Sequence, residues 1–401
     1  MPPRRPEVAG VFREHGPAFL DRRGGSLSRQ QGRVFRDIVR CRTAALGGHR
    51  RHCDLCGHEE ISYNSCRNRH CPKCLASQRA RWLEGERAQM LDVDYFHVVF
   101  TLPQKLGPIV LQNQRQLYGA LFRAAAETLS TIARDPRHLG AEIGFLMVLH
   151  TWGQNLHHHP HVHCVVPGGG ISPDRSRWIS CRNRFFLPVR VLSRLFRGKF
   201  LALLQGLYAG GEITLAGSLA PLLDRSTWQA LTASLLRTEW VVYSKPPFGG
   251  AEQVLKYLAR YTHGVAISNH RLLSISDGQV RFRWKDYAHG GKRRVMTLDA
   301  GEFIRRFLLH ILPRGFVRIR HYGFLSNRSR QGKLALARRL LGQSQLEAAP
   351  VDCATLDERP CDETIERARS CPRCKQGRFI IVEEIPPIVD PVLETVALDT
   401  S

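Results

Sequence analysis

Along this chain the apolar positions change period several times, and the changes mark out its elements. HVVFTL at 97–102 predicts a strand that Pro103 ends, and residues 109–133 carry apolar side chains at helical spacing. FLMVLHTW at 145–152 and HVHCVVP at 161–167 read as two strands, and GQNLHHHP between them is long enough for an antiparallel hairpin. Gly168, Gly169 and Gly170 close the second strand. Helices are expected over 190–209 and 227–238, a strand over 241–245 with the turn PPFGG after it, and a short helix over AEQVLKYLARYT at 251–262. VAISNHRLLSI at 265–275 and QVRFRWKDY at 279–287 read as a hairpin, because Asp277-Gly278 is a strong two-residue turn signal. RRVMTL at 293–298 offers a third strand, EFIRRFLLHIL at 302–312 a helix, FVRIRHYGF at 316–324 a basic strand, and 329–341 a last helix. Towards the amino terminus, helices are expected around Gln30 to Arg42 and over 77–92, on either side of a stretch at 49–76 dense in Cys and His.

Charge narrows the partner. The 401 residues carry a formal net charge of +24. Residues 351–401 hold eleven acidic and six basic side chains, so the remainder carries about +29. A folded body this basic points to a polyanion, nucleic acid before a membrane surface. The start, MPPRRPEVAG, has no apolar core of a signal peptide. No apolar run reaches the roughly 18 residues a bilayer demands. The expected setting is a reducing cytoplasm without membrane contact, where twelve cysteines are not a disulfide frame.

Two cysteine pairs stand out. Cys53-x-x-Cys56 and Cys71-x-x-Cys74 can each form a tight turn presenting two thiolates, and four thiolates satisfy tetrahedral zinc. Cys66 and His70 lie between the pairs as extra soft ligands: either one swaps into the tetrad or a second ion is shared. A full ligand set leaves no open position, so such zinc is structural. Arginines around the cluster, Arg67 and Arg69 among them, are candidates for phosphate contacts. Near the other end, Cys371-x-x-Cys374, with Cys353 and Cys361 upstream, offers a second zinc knuckle or a set of free thiols.

Strand 161–167 alternates, which puts His161 and His163 on one face, where two imidazoles can grip a divalent cation. Ordinary polar-face histidines would give the same pattern. A third ligand has to come from elsewhere, with Gln154 and His159 as local candidates. Tyr257 and Tyr261 stand four apart, on one face of the expected helix, with Lys256 and Arg260 in a basic stripe beside them. A phenol titrates near pH 10 and needs a cation and basic side chains to attack phosphate at neutral pH. The alternative is two core aromatics.

HVVFTLPQKL at 97–106, WGQNLHHHPHVHCVVPGGG at 152–170 and KYLARYTHGVAISNHRL at 256–272 together resemble the motifs of the insertion sequence ninety-one family. These are two-tyrosine, rolling-circle transposases of the HUH superfamily, named for histidine–hydrophobic–histidine. GHRRHCDLCGHEEISYNSCRNRHCPKC at 48–74 resembles the zinc-binding domain that precedes the catalytic domain there. The resemblance implies an α+β fold, an HUH-type antiparallel sheet flanked by helices. It implies a zinc- and DNA-binding domain over 1–92, a catalytic domain over 93–325, and a helix and acidic tail over 326–401. It also implies magnesium or manganese on His161 and His163, and Tyr257 and Tyr261 as nucleophiles. Their reaction would nick single-stranded transposon ends through a 5′-phosphotyrosine intermediate and join them to target DNA. Rival readings are a plasmid replication initiator or relaxase, and a zinc-dependent DNA-binding protein without catalysis.

Overall fold

The computed structural model describes residues 5–74, 82–182, 186–248, 253–254, 266–286, 289–343 and 371–388. Two helices open it, α1 (Val8–Arg23) and α2 (Arg29–Arg40). A reciprocal cap starts α2: Ser28 Oγ accepts from the Gln31 N–H at 3.2 Å, and Gln31 Oε1 accepts from the Ser28 N–H at 2.9 Å. Two donors that a helix start leaves open are thereby satisfied. The Cys- and His-rich stretch then folds into a hairpin, β1 (Gly48–Cys53) and β2 (Glu59–Tyr63), with Gly48 opposite Tyr63 at its base and His52 opposite Glu59 near its tip. Its side chains show no clean alternation of apolar and polar, so the pattern of the sequence did not predict it.

Five strands make the central sheet: β3 (Tyr95–Thr101), β4 (Gly144–Trp152), β5 (His158–Pro167), β8 (Val242–Phe248) and β12 (Ile319–Gly323). Their order is β12-β4-β5-β3-β8, and every neighbouring pair is antiparallel. A two-stranded ribbon, β6 (Gly169–Ile171) with β7 (Trp178–Ser180), follows β5. One face of the sheet is apolar throughout: Phe96, Val98 and Phe100 on β3, Phe145, Met147 and Leu149 on β4, and Val162, Cys164 and Val166 on β5 are all buried. The amphipathic helices α3 (Gly107–Gln112), α4 (Gln114–Arg134), α5 (Val189–Ala209) and α6 (Arg225–Arg237) lie in sequence around this face. Buried side chains from all four join its core. Fully burying each of Phe100, Phe122, Phe145, Phe196 and Phe200 contributes about 1.5–3 kcal/mol. The period of β5 then dictates that His161 and His163 occupy the opposite face.

A second sheet, β9 (Leu272–Ser276), β10 (Gln279–Asp286) and β11 (Lys292–Asp299), is antiparallel. Its turn is the expected one, with Asp277 and Gly278 at φ +52° and +71°, the left-handed region that type I′ requires. Helix α7 (Ala300–Leu308) packs this sheet against α1 and α2. Phe12 touches Phe35 and Phe307 with ring centroids 5.0 and 5.3 Å away. After β12 comes α8 (Arg330–Leu340), and the acidic tail contributes β13 (Phe379–Ile385), which pairs with β1 from Gly48–Ile385 to Cys53–Phe379. The architecture is α+β. Packing crosses the boundaries expected near 92 and 325, since α1 sits on α7 and β13 on β1. No helix among the described residues is long and apolar enough to cross a membrane.

Candidate metal and phosphate site

Register places a third histidine beside the pair on β5. His150 of β4 stands directly opposite His161, and Val148 opposite His163. Ligand atoms of His150, His161 and His163 all lie within 4.8 Å of one another, close enough for one cation to sit among them. The rings face one another, with centroids 4.4 Å apart for His150 and His163 and 4.8 Å for His161 and His163. Trp152 stacks on His150 at 4.7 Å. The third member is therefore His150 rather than the local candidates. His159 is exposed and lends its carbonyl to His161, while Gln154 lies in the β4–β5 loop, its carbonyl accepting from Arg271. The signal was a lone polar residue inside the apolar run FLMVLHTW, but only the register says what it faces.

Each imidazole of the β5 pair has its Nδ1 engaged. His161 Nδ1 donates to the His159 carbonyl at 2.7 Å, and His163 Nδ1 meets Nε2 of His97 at 2.8 Å. For His163 Nε2 to meet a cation, its Nδ1 must carry the proton and His97 Nε2 must accept the hydrogen bond. Nε2 is then the candidate ligand atom on His161 and His163. Buried partners of this kind orient metal-binding imidazoles. Burial also keeps them neutral. It holds His161 down at about 4 and His163 well below the ordinary range, and it depresses His97 to about 3 with Lys245 adding to the effect. A neutral ring offers the lone pair that a cation needs. These donors fit a divalent metal. An all-imidazole set suits manganese or a later transition ion better than magnesium, which prefers oxygen.

The same face extends to the sheet edge. Lys245 of β8 stands opposite His97 and Tyr243 opposite Val99, and both are exposed. Neither was singled out in the sequence. Tyr257, Tyr261, Lys256 and Arg260 lie outside the described residues, as do Cys353 and Cys361. Val254, three residues before Tyr257, is fully buried against Tyr95, Leu146, Val148 and Val165. By strand period, those four side chains project from the histidine-bearing face.

The expected tetrad of Cys53, Cys56, Cys71 and Cys74 does not assemble. Cys71 and Cys74 group with Cys41 and Cys66, while Cys53 and Cys56 group with Cys371 and Cys374. The β1–β2 hairpin is the reason. Its tip carries Cys53 and Cys56, whereas Cys66 follows its return to the base, where Arg42 N–H donates to Asn64 O beside the end of α2. Five residues of strand separate tip from base by about 16 Å. In the first group Cys74 Sγ lies 3.5 Å from Cys41 Sγ and 3.6 Å from Cys66 Sγ. Four sulfurs about 2.3 Å from one zinc at tetrahedral angles stand about 3.8 Å apart. Thiols packed this closely cannot all ionise without a cation between them. Cys66 thus joins a tetrad and His70 does not: His70 Nε2 accepts from the Leu312 N–H at 3.1 Å and Nδ1 donates to Asn68 Oδ1 at 3.2 Å. Arg69 turns inward instead of toward solvent, donating to the carbonyls of Phe316 and Pro313. Arg67 is exposed.

Similarity to known proteins identifies the family. Residues 144–333 match a family model described as "Putative transposase", and residues 11–102 match one described as "Transposase zinc-binding domain". A Sinorhizobium fredii protein named "Putative transposase y4qJ" is 56% identical over 96% of this chain and 97% of its own length. The "Transposase for insertion sequence element IS801" of Pseudomonas savastanoi pv. phaseolicola is 30% identical over 73% of this chain and 69% of its own. No solved structure matches. The fold and these likenesses define a transposase with an amino-terminal zinc-binding domain. The chain belongs to the insertion sequence ninety-one family of transposases, and structural zinc goes with its clustered cysteines.

Proposed function

We propose that this transposase cuts and rejoins single-stranded DNA ends by tyrosine chemistry beside the three-histidine cluster, in rolling-circle transposition. The observation that carries the reading is the grouping of His150, His161 and His163 on one face of the central sheet. A divalent cation held there would polarise the scissile phosphate and offset charge in the transition state. The phenol oxygen of Tyr257 or Tyr261 attacks phosphorus as its proton leaves to solvent. The bond from phosphorus to the departing 3′ oxygen breaks, and that oxygen picks up a proton. A 5′ phosphate remains on the tyrosine. Attack by a second 3′ hydroxyl reverses the step, joins the strands and frees the phenol without ATP. Two tyrosines allow one such exchange for each end. Lys245, exposed on the histidine face, is placed to hold a phosphate oxygen, and Arg67, Lys256 and Arg260 serve the flanking strand. Burial of Val254 on that face supports delivery of the tyrosine segment to the cluster. The zinc module binds DNA, and the protein works in the cytoplasm.

The test uses a 3′-labelled single strand carrying the end of the element that encodes the chain. With manganese, the wild type should cut it and retain the downstream fragment as a covalent adduct on a denaturing gel. Tyr257→Phe combined with Tyr261→Phe should abolish the adduct. His161→Ala should lower cleavage at least 100-fold, with the circular dichroism spectrum unchanged. Full adduct formation by the double phenylalanine variant would end this reading.

A further inference from the structure

The second thiol group draws half of its members from outside the amino-terminal module. Cys53 and Cys56 come from the tip of the β1–β2 hairpin, and Cys371 and Cys374 from a turn that leads into β13. Cys53 Sγ lies 3.6 Å from Cys374 Sγ and Cys56 Sγ 3.6 Å from Cys371 Sγ, across 321 and 315 residues of chain. That separation is far beyond the roughly 2.05 Å of a disulfide and close to the edge of a tetrahedral zinc–thiolate site. The two turns are built alike. The Gly57 N–H donates to Cys53 O at 3.0 Å, and the Lys375 N–H donates to Cys371 O at 2.7 Å. The backbone also feeds the sulfurs, since the Gly377 N–H donates to Cys374 Sγ at 3.2 Å.

The turns are also fitted to each other. The Arg378 N–H donates to Asp54 Oδ1 at 2.8 Å, and the Asp54 N–H donates to Arg378 O at 3.0 Å. A Cβ on Gly377 would fall 2.3 Å from Cys53 Sγ and 2.7 Å from Asp54 Oδ1, so only glycine lets the carboxyl-terminal turn close on the amino-terminal one. Cys53 and Cys371 are almost wholly buried. Nothing about an isolated hairpin of this size would hold four thiols so close; an ion among them would.

We propose that Cys53, Cys56, Cys371 and Cys374 hold a second zinc ion, split between the two ends of the chain, which clamps β13 onto the zinc-binding domain. The site is closed, with four thiolates and no open position, so its role is to tie the ends together. The amino-terminal domain thus completes its outer sheet only when the carboxyl-terminal segment is present.

The experiment counts sulfur-bound metal in the full chain. Zinc is measured by mass spectrometry in a His161→Ala background, so that the histidine cluster does not contribute. Two zinc ions per chain are expected, one in Cys371→Ser/Cys374→Ser, and one in Cys41→Ser/Cys66→Ser. One ion in the parent chain, or two in the Cys371→Ser/Cys374→Ser variant, overturns the proposal. If a serine variant does not fold, the parent chain is stripped and titrated with cobalt, whose thiolate charge-transfer band reports sulfur ligation alone. Saturation at two equivalents supports the clamp, and saturation at one overturns it. Neither readout depends on DNA cleavage, so its result stands apart from the catalytic reading.

Discussion

His97 shows how much one side chain outside the cluster can matter. Its Nε2 sits 2.8 Å from His163 Nδ1, and burial keeps it neutral. It acts through His163, so it is a positioning residue. Losing such a partner typically costs 10- to 100-fold in metal affinity. His97→Ala should therefore raise the manganese concentration for half-maximal nicking by about 10- to 100-fold. Adduct yield at saturating manganese should stay near that of the wild type. His97→Gln keeps an acceptor and should fall between the two. An unchanged manganese dependence in His97→Ala would refute the role. His161 and His163 were legible because a strand repeats every two residues. His150 was not, because its partner depends on register: a slip of one residue would set Leu149 or Thr151 opposite His161.

At the scale of elements, the β10–β11 hairpin combines a packed face with a basic one. Val280 and Phe282 are buried, while Arg281, Arg283 and Lys285 alternate with them and stand opposite Thr297, Val295 and Arg293. This exposed ribbon suits a phosphate backbone. Arg281→Ala/Arg283→Ala should weaken binding to single-stranded DNA. The slope of log affinity against log salt should become shallower by about 1.4, at roughly 0.7 per lost phosphate contact. Fluorescence anisotropy across a salt series measures it, and an unaltered slope would remove this hairpin from the interface. The hairpin was legible because Asp277-Gly278 dictates a turn locally. Strands β1, β2 and β13 were not, because these short segments form one sheet in which β13 pairs with β1 across more than 300 residues of chain, which no local pattern reveals.

Across the whole molecule, the histidine cluster and the cysteine groups should part company under chelation. The histidine cluster has three ligands, and His161 is partly exposed, whereas each cysteine group has four. Brief EDTA treatment should abolish nicking without altering the circular dichroism spectrum, and added manganese should restore it. Displacing zinc with a mercurial should lower the melting temperature and defeat rescue by manganese. Nicking that persists through EDTA would argue against a metal at the histidines.

The sequence by itself determined the local chemistry. It set the two-residue period that pairs His161 with His163, the Asp277-Gly278 turn, the Cys-x-x-Cys knuckles, the basic charge and the family motifs. The period, the turn and the knuckles depend on neighbours within a few positions, and the charge is a sum over the chain. Tertiary structure alone decided which groups come within reach of one ion. Cys41 joins Cys66, Cys71 and Cys74, Cys371 and Cys374 return to Cys53 and Cys56, and His150 faces His161. The physical reason is that the cost of closing a chain loop grows only logarithmically with its length. Spacing along the chain therefore says little about long-range partners, and the packing of helices and strand register choose them.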